Sequence, residues 1–202
     1  MPRTSTAKER LTDAALEMIW ENSYGATSVD AICERAKVKK GSFYYFFKSK
    51  SELAAAALEA DWVKHQPELD ASFSASIPPL ERLQRYFISC YDFMACIKAK
   101  YGAVLGCPIF TLGCEVSTTD AVLRDKIQEL LDRKLGYFES AIRDAHAKGL
   151  IDAPDARAKA RALFAFVEGS LSQARIANDL EVLRQVPAGA MALLGAPEPV
   201  PA

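Results

Sequence analysis

Apolar residues at Leu11, Ala14, Ala15, Met18 and Ile19 follow the i, i+3, i+4, i+7, i+8 rhythm of a helix with one buried face. Thr6-Ala7-Lys8-Glu9 offers that helix a capping box, and Gly25 follows its end. Thr27-Ser28-Val29-Asp30 repeats the start signal before a short stripe of Val29, Ile32, Cys33 and Ala36, which predicts a second helix of about two turns. After Lys37-Val38-Lys39 a third short helix is expected from Lys40 or Gly41 to Phe47. Ser49-Lys50-Ser51-Glu52 is a further capping box, opening a longer helix through Leu53, Ala56, Ala57 and Leu58 towards His65.

Pro67 and the Ser-rich stretch Ser72 to Ser76 interrupt the pattern, and Pro78-Pro79 can open the next helix, whose apolar face is Leu80, Leu83, Phe87, Cys90, Tyr91 and Met94. Gly102, Gly106 and Gly113 punctuate a short segment around Cys107 to Val116. Periodicity resumes between Thr118 and Lys148 in Val122, Ile127, Leu130, Leu131, Leu135, Phe138 and Ile142. Pro154 and Asp155 open an Ala-rich helix to about Asn178, and a last helix is expected from Leu180 to Leu194. No strand-like alternation of useful length interrupts this order. The predicted fold class is all-α with about nine helices: a head over residues 5–65, a helical body over 66–195, and a Pro-rich tail over 196–202 expected to be disordered.

Composition bounds the rest. Half of the 202 residues are hydrophobic and a quarter charged, which excludes a disordered or low-complexity chain. No apolar run approaches the ~20 residues of a bilayer span, and the polar start lacks a secretion signal, so no membrane role is expected and the cytoplasm is the expected compartment. Five cysteines, odd in number and without Cys-x-x-Cys spacing, give no reason to expect a disulfide framework, and no metal or cofactor is expected. The net charge of −1 hides an asymmetry: residues 1–50 carry nine Lys or Arg against six Asp or Glu, a net +3, and residues 51–202 sixteen against twenty, a net −4. Between Arg35 and Lys50 stand six basic residues and no acidic one. Such a run is either a solvated face or the footprint of a phosphate-binding surface.

The pattern around that run decides between them. Two short helices joined by a tight turn, the second rich in aromatic and basic residues, match a helix-turn-helix whose second helix enters the major groove. Within the second helix, Phe43, Phe46 and Phe47 fall on one side, while Gly41, Tyr44, Tyr45 and Lys48 fall at i, i+3, i+4, i+7 on the other. Lys39, Lys40 and Ser42 lie at the helix start that meets the bases in this motif. The start at Thr27 and Ser28 suits a second phosphate.

The runs Ala26-Thr27-Ser28-Val29-Asp30-Ala31-Ile32 and Ala36 to Leu53, including Lys40-Gly41-Ser42-Phe43-Tyr44-Tyr45-Phe46-Phe47-Lys48, resemble the N-terminal domain of the tetracycline-repressor (TetR) family of bacterial transcriptional regulators, over about residues 5–65. The resemblance implies an all-helical homodimer with a DNA-binding head and a ligand-binding body whose last two helices form the dimer interface. It implies that Thr27 or Ser28, Tyr44, Lys48 and Lys50 touch phosphates of a double-stranded operator, and that Lys40, Gly41, Ser42 and Tyr45 lie nearest the bases. The family commonly has His or Tyr where this chain has Phe46, which removes one polar contact.

In the body, Gly106-Cys107-Pro108 to Val116 is similar to a subgroup of the same family that responds to reactive electrophiles or acrylate-type compounds. A thiol before Pro108 at a helix start is favoured towards its thiolate by the helix dipole, whereas a free cysteine otherwise serves as a small buried hydrophobe. Both roles stay open for Cys107. The effector is thus expected either in an apolar pocket lined by Phe87, Tyr91, Met94, Phe110 and Phe138 or on Cys107 itself. The functional reading is an effector-responsive DNA-binding regulator, most simply a repressor, and not an enzyme. Its rivals are a cysteine-dependent enzyme and a helical interaction module without a DNA role; neither accounts for the basic, aromatic helix.

Overall fold

The computed structural model describes residues 6–196; the tail beyond, read above as disordered, lies outside the described residues. Ten helical segments and no strand occur among the described residues. Thr6 caps α1 (Ala7–Glu21) as its sequence requires, Glu9 N–H donating to Thr6 Oγ1 at 3.2 Å and Thr6 N–H donating to Glu9 Oε2 at 2.6 Å. Ser28, the second residue of the Thr27-Ser28 start, caps α2 (Val29–Ala36) by accepting from Ala31 N–H at 3.1 Å. Lys37, in the left-handed conformation with φ 54°, ends α2, and Val38 N–H closes back on Cys33 carbonyl at 2.9 Å. That closure makes the tight turn into α3 (Lys40–Phe46).

Ser49 and Glu52 open α4 (Lys50–Ser72), with Glu52 N–H on Ser49 Oγ and Lys48 N–H on Glu52 Oε2. The sequence reading ends this helix near His65, before Pro67; the structure carries it through to Ser72. Pro67 leaves the carbonyl of Val63 without its helical donor. Val63 is exposed, so water can serve that carbonyl. Phe73, just past the helix end, stacks on Tyr86, Tyr137 and Phe138, and Tyr137 hydroxyl donates to Asp70, contacts that hold the extra turns.

The remaining elements are α5 (Pro79–Tyr101), α6 (Pro108–Val116), α7 (Ala121–Ala147), α8 (Ala156–Ala177), α9 (Glu181–Arg184) and α10 (Val186–Leu194). The last two fill the stretch read as one final helix, interrupted where Pro187 withholds a donor. By internal contacts the chain forms two units. The first runs to His65 and includes Pro108–Leu131; the second holds Gln66–Cys107 and the chain from Asp132 onward.

Leu11, Ala15, Ile32, Phe43, Leu53 and Leu58 form the centre of the first unit. In the second, Leu83, Phe87, Phe138, Ile142 and Leu163 are fully buried, and Tyr86 meets Phe138 edge-on. Arg82 is buried with them, its guanidinium donating to Ile77 and Ala75 carbonyls and to Asp144 Oδ2 at 2.6 Å. These bonds tie the connection between α4 and α5 to α7. Arg82→Met strands Asp144 and two carbonyls and is expected to cost about 3 kcal/mol in urea denaturation. A loss within experimental error shows that solvent already serves those acceptors.

Candidate nucleic-acid interface and effector site

A helix of α3's length is not stable alone in water, so α3 is held by what it buries. Phe43 is fully buried and Phe47 nearly so, with ring centroids 6.1 Å apart. Phe46, expected inward with them, is only half-buried and lies edge-on to Tyr45 at 5.0 Å. The anchors leave Tyr44 and Tyr45 outside, 57% and 83% exposed, large apolar rings that no intramolecular neighbour covers fully. Gly41 and Lys48 are exposed beside them, and a Cβ built on Gly41 meets nothing within 4 Å. The glycine thus leaves a gap on the outer surface that admits a close backbone approach.

Lys39 caps the start of α3 without a side-chain hydrogen bond, and Lys39 and Lys40 are exposed while Ser42 is half-buried. Lys40 Nζ sits 2.7 Å from Asp30 Oδ1, and that hydrogen bond and charge raise the Lys40 pKa. Both partners are solvated, so the pair costs little to open when a stronger anion arrives.

Two residues expected to touch phosphate are occupied internally. Thr27 is buried, and its hydroxyl donates to Ser23 carbonyl at 2.7 Å, leaving Ser28 as the exposed member of the pair. Lys50 Nζ turns inward, donating to the carbonyls of Tyr24 at 2.8 Å and Thr27 at 2.9 Å, 4.0 Å above the Tyr24 ring. Burial lowers its pKa, against the opposing pull of Glu115. Lys50 braces the turn before α2: the Tyr24 carbonyl already accepts from Thr27 N–H at 3.3 Å, and the flexible ammonium reaches both it and the Thr27 carbonyl.

Acidic residues of the same unit complete that brace and were missed in the sequence reading. Glu115 accepts Tyr24 N–H at 2.9 Å and Gly25 N–H at 2.7 Å, one on each carboxylate oxygen. Asp120 accepts from Ser51 and from Tyr24 hydroxyl and caps Leu123 N–H; despite its partial burial, these bonds lower its pKa. Sequence could supply Asp120 as a helix-start residue before α7, but nothing local to Glu115 names a partner ninety positions away.

In the second unit Phe87, Met94 and Phe138 are buried, while Tyr91 is half-buried with the Arg184 guanidinium 4.7 Å from its ring centroid. Phe110 belongs to α6 in the other unit, so the five residues proposed to line one pocket divide between the two units. Cys107 is buried. The strand of chain leading to it is pinned to the end of α8: Asn178 Oδ1 accepts Val104 N–H at 2.9 Å, and Arg175 donates to Leu105 carbonyl at 2.6 Å. Gly106 takes φ 68°, a left-handed backbone conformation that residues with a side chain rarely adopt; a Cβ there would meet Leu171 carbonyl and the Arg175 side chain only at ordinary contact distance. No group of residues fit to hold a metal ion occurs among the described residues, and no described helix is long and apolar enough to cross a membrane.

Two short helices at a tight turn, the second anchored by buried rings and presenting tyrosines and lysines outward, define a helix-turn-helix DNA-binding protein. The comparisons say which. Residues 11–57 match the model of bacterial regulatory proteins of the tetR family, and residues 79–189 match the tetracyclin repressor-like C-terminal domain. The transcriptional regulator AcuR of Cereibacter sphaeroides is 30% identical over 177 residues, covering 87% of this chain and 79% of that one. The HTH-type transcriptional repressor DhaR of a Mycobacterium species is 29% identical over 189 residues, covering 92% and 90%. A crystal structure of a regulatory protein TetR from Rhodobacter sphaeroides superposes with a TM-score of 0.82 at 28% identity, covering 94% and 99%. The chain belongs to the TetR family and is a DNA-binding transcriptional regulator.

Glu115→Gln keeps the shape of the brace but leaves one acceptor oxygen for the two amides, and Glu115→Ala removes both. Amide hydrogen exchange at Tyr24 and Gly25 is expected to accelerate in the order parent, Gln, Ala, with a stability loss of about 1 kcal/mol for Ala. Unchanged exchange at both amides shows that the turn is held without Glu115.

Proposed function

We propose that the chain is a dimeric repressor that occupies a pseudo-palindromic operator and leaves it when a small molecule acts on the body. The observation that carries the DNA-binding half is the outward face of α3, with Gly41, Tyr44, Tyr45 and Lys48 exposed over buried Phe43 and Phe47. Ser28, Tyr44 and Lys48 contact phosphates; Lys39, Lys40, Gly41, Ser42 and Tyr45 lie nearest the bases. Lys40 exchanges Asp30 for its target on binding. Thr27 and Lys50 serve the site from beneath, by fixing the turn that positions Ser28. A relative named as a repressor, DhaR, supports the sign of regulation.

Dimerisation has a surface to work with. Phe166 and Ile176 on α8 and Leu193 on α10 are exposed, Ile176 by 85%. Gly189 lets α10 come so close to α8 that a Cβ there would lie 2.6 Å from the Phe166 ring. Small residues Ala162, Ala165 and Gly169 on α8 allow a second copy a similarly close approach.

The effector must favour the conformation whose two recognition helices no longer match the groove spacing. It does so either from an apolar site within the second unit involving Phe87, Tyr91, Met94 and Phe138, or by modifying Cys107. Cys107→Ser separates the routes: DNA binding persists in both, but release by electrophiles is lost only in the second.

Sedimentation of the parent is expected to give a dimer at micromolar concentration and of Ile176→Asp a shift towards monomer; a stable parent monomer contradicts the proposal. Fluorescence anisotropy on duplex DNA is expected to show Lys48→Ala weakening all sequences and reducing the salt slope by about 1, while Tyr45→Ala costs about 1 to 3 kcal/mol on the preferred site only. Lys48→Ala with unchanged affinity and slope removes Lys48 from the phosphate face.

A further inference from the structure

Charged and polar groups converge inside the second unit where its apolar pattern calls for none. Glu168 on α8 is 1% exposed, and neither carboxylate oxygen accepts from an N–H or O–H donor among the described residues. Lys134 Nζ on α7 lies 3.8 Å from Glu168 Oε1, near enough for charge attraction and too far for a hydrogen bond. The ammonium sits 5.5 Å from the Tyr86 ring and 5.7 Å from the Phe164 ring. The Tyr86 hydroxyl engages Lys134 and the Cys90 thiol. The thiol of Cys107 faces the same carboxylate and helps to stabilise its charge.

Burial raises the Glu168 pKa, with Lys134 and Cys107 pulling it back. Burial also works against the Lys134 charge, but the acidic groups around it outweigh that and hold its pKa well above the usual value. Cys90, pushed up to about 11 by burial, stays a neutral thiol. The cluster therefore combines a nucleophile precursor, a base made stronger by burial and a fixed cation. That combination is the one thiol addition requires, since it needs a proton acceptor at sulfur and a positive charge where an oxyanion develops.

We propose that Cys107, Glu168 and Lys134 form a reaction site for small α,β-unsaturated carbonyl compounds, with Glu168 as the proton acceptor and Lys134 as the donor to the carbonyl oxygen. This rests on the reading that Cys107 is the effector-sensing group. The S–H bond breaks and its proton passes to the Glu168 carboxylate, while the sulfur electron pair forms the S–C bond at the β-carbon. The π pair of the C=C bond moves to give an enolate whose oxygen accepts from Lys134. The proton then passes from Glu168 to the α-carbon and the carbonyl re-forms. No group leaves, no oxidant or reductant is consumed, and Glu168 ends in its starting state. Because Cys107 is 8% and Glu168 1% exposed, the site selects compounds of few heavy atoms and little charge.

The test uses the full-length protein and methyl vinyl ketone, following adduct formation at Cys107 by intact-mass and peptide-mass spectrometry from mildly acidic to mildly alkaline pH. In the parent the rate is expected to depend less steeply on pH than in Glu168→Gln, because Glu168 supplies the base. In Glu168→Gln it is expected to fall on the order of 100-fold at neutral pH and to climb with pH as the bulk solvent takes the proton. The paired variant Glu168→Gln with Lys134→Met removes the uncompensated ammonium, so it reports on the same step if the single variant folds poorly, and it is expected to be equally slow. Thermal melting verifies folding of each. If either folded variant reacts at the parent rate with the parent pH profile, the role of Glu168 is overturned while the sensor reading stands. If parent Cys107 takes up no enone, or its adduct leaves DNA binding unchanged, the sensor reading falls and the proposal with it.

Discussion

The burial of Phe43 and Phe47 is the contact on which the head's chemistry depends. A seven-residue helix has no stability of its own, and each fully buried aromatic side chain contributes about 1.5 to 3 kcal/mol of transfer free energy. With Phe43 inside, helical geometry leaves Gly41, Tyr44 and Tyr45 on the outer surface, and Lys48, just past the helix end that Phe47 anchors, is exposed beside them. The same contact that makes α3 a helix therefore selects the residues it offers to a duplex. The basic run then has a function beyond solubility, because its cations surround an ordered surface.

Electrostatics beneath that surface works in the opposite sense from electrostatics on it. Outside, Lys39, Lys40 and Lys48 remain solvated and available. Inside, Lys50, Tyr24, Thr27, Glu115 and Asp120 pair donors with acceptors at the turn that feeds α2, so the exposed Ser28 stands on a fixed support. Glu115 belongs to α6, whose first residue follows Cys107 directly in the chain.

Most helix starts were legible because their signals are local: Thr6 with Glu9, Ser28, Ser49 with Glu52 and Asp155 all cap the helices their positions predicted. The faces of α3 were legible for the same reason, apart from the half-buried Phe46. What sequence misread depended on distant partners. Pro67 was read as a stop, yet aromatic contacts of Phe73 carry α4 beyond it. Lys50 was read as a phosphate ligand because it is basic and near the motif; in the structure its ammonium lies on the carbonyls of Tyr24 and Thr27. Glu168 and Lys134 did leave a trace, since both fall in step with the core faces of their helices, Glu168 with buried Leu171 and half-buried Phe164, Lys134 with buried Leu130 and Phe138. A charged residue in register with a core face is a signal of buried chemistry, and periodicity analysis that counts only apolar residues passes over it.

The central claim is that two copies of α3 read one duplex. Hydroxyl-radical footprinting of the parent on the DNA upstream of its own gene tests it most directly. The account predicts two protected patches related by a two-fold axis, centred one helical turn or a multiple of it apart, about 34 to 36 Å for one turn, and fading as salt is raised. A single unsymmetrical patch, or protection that salt does not weaken, contradicts it.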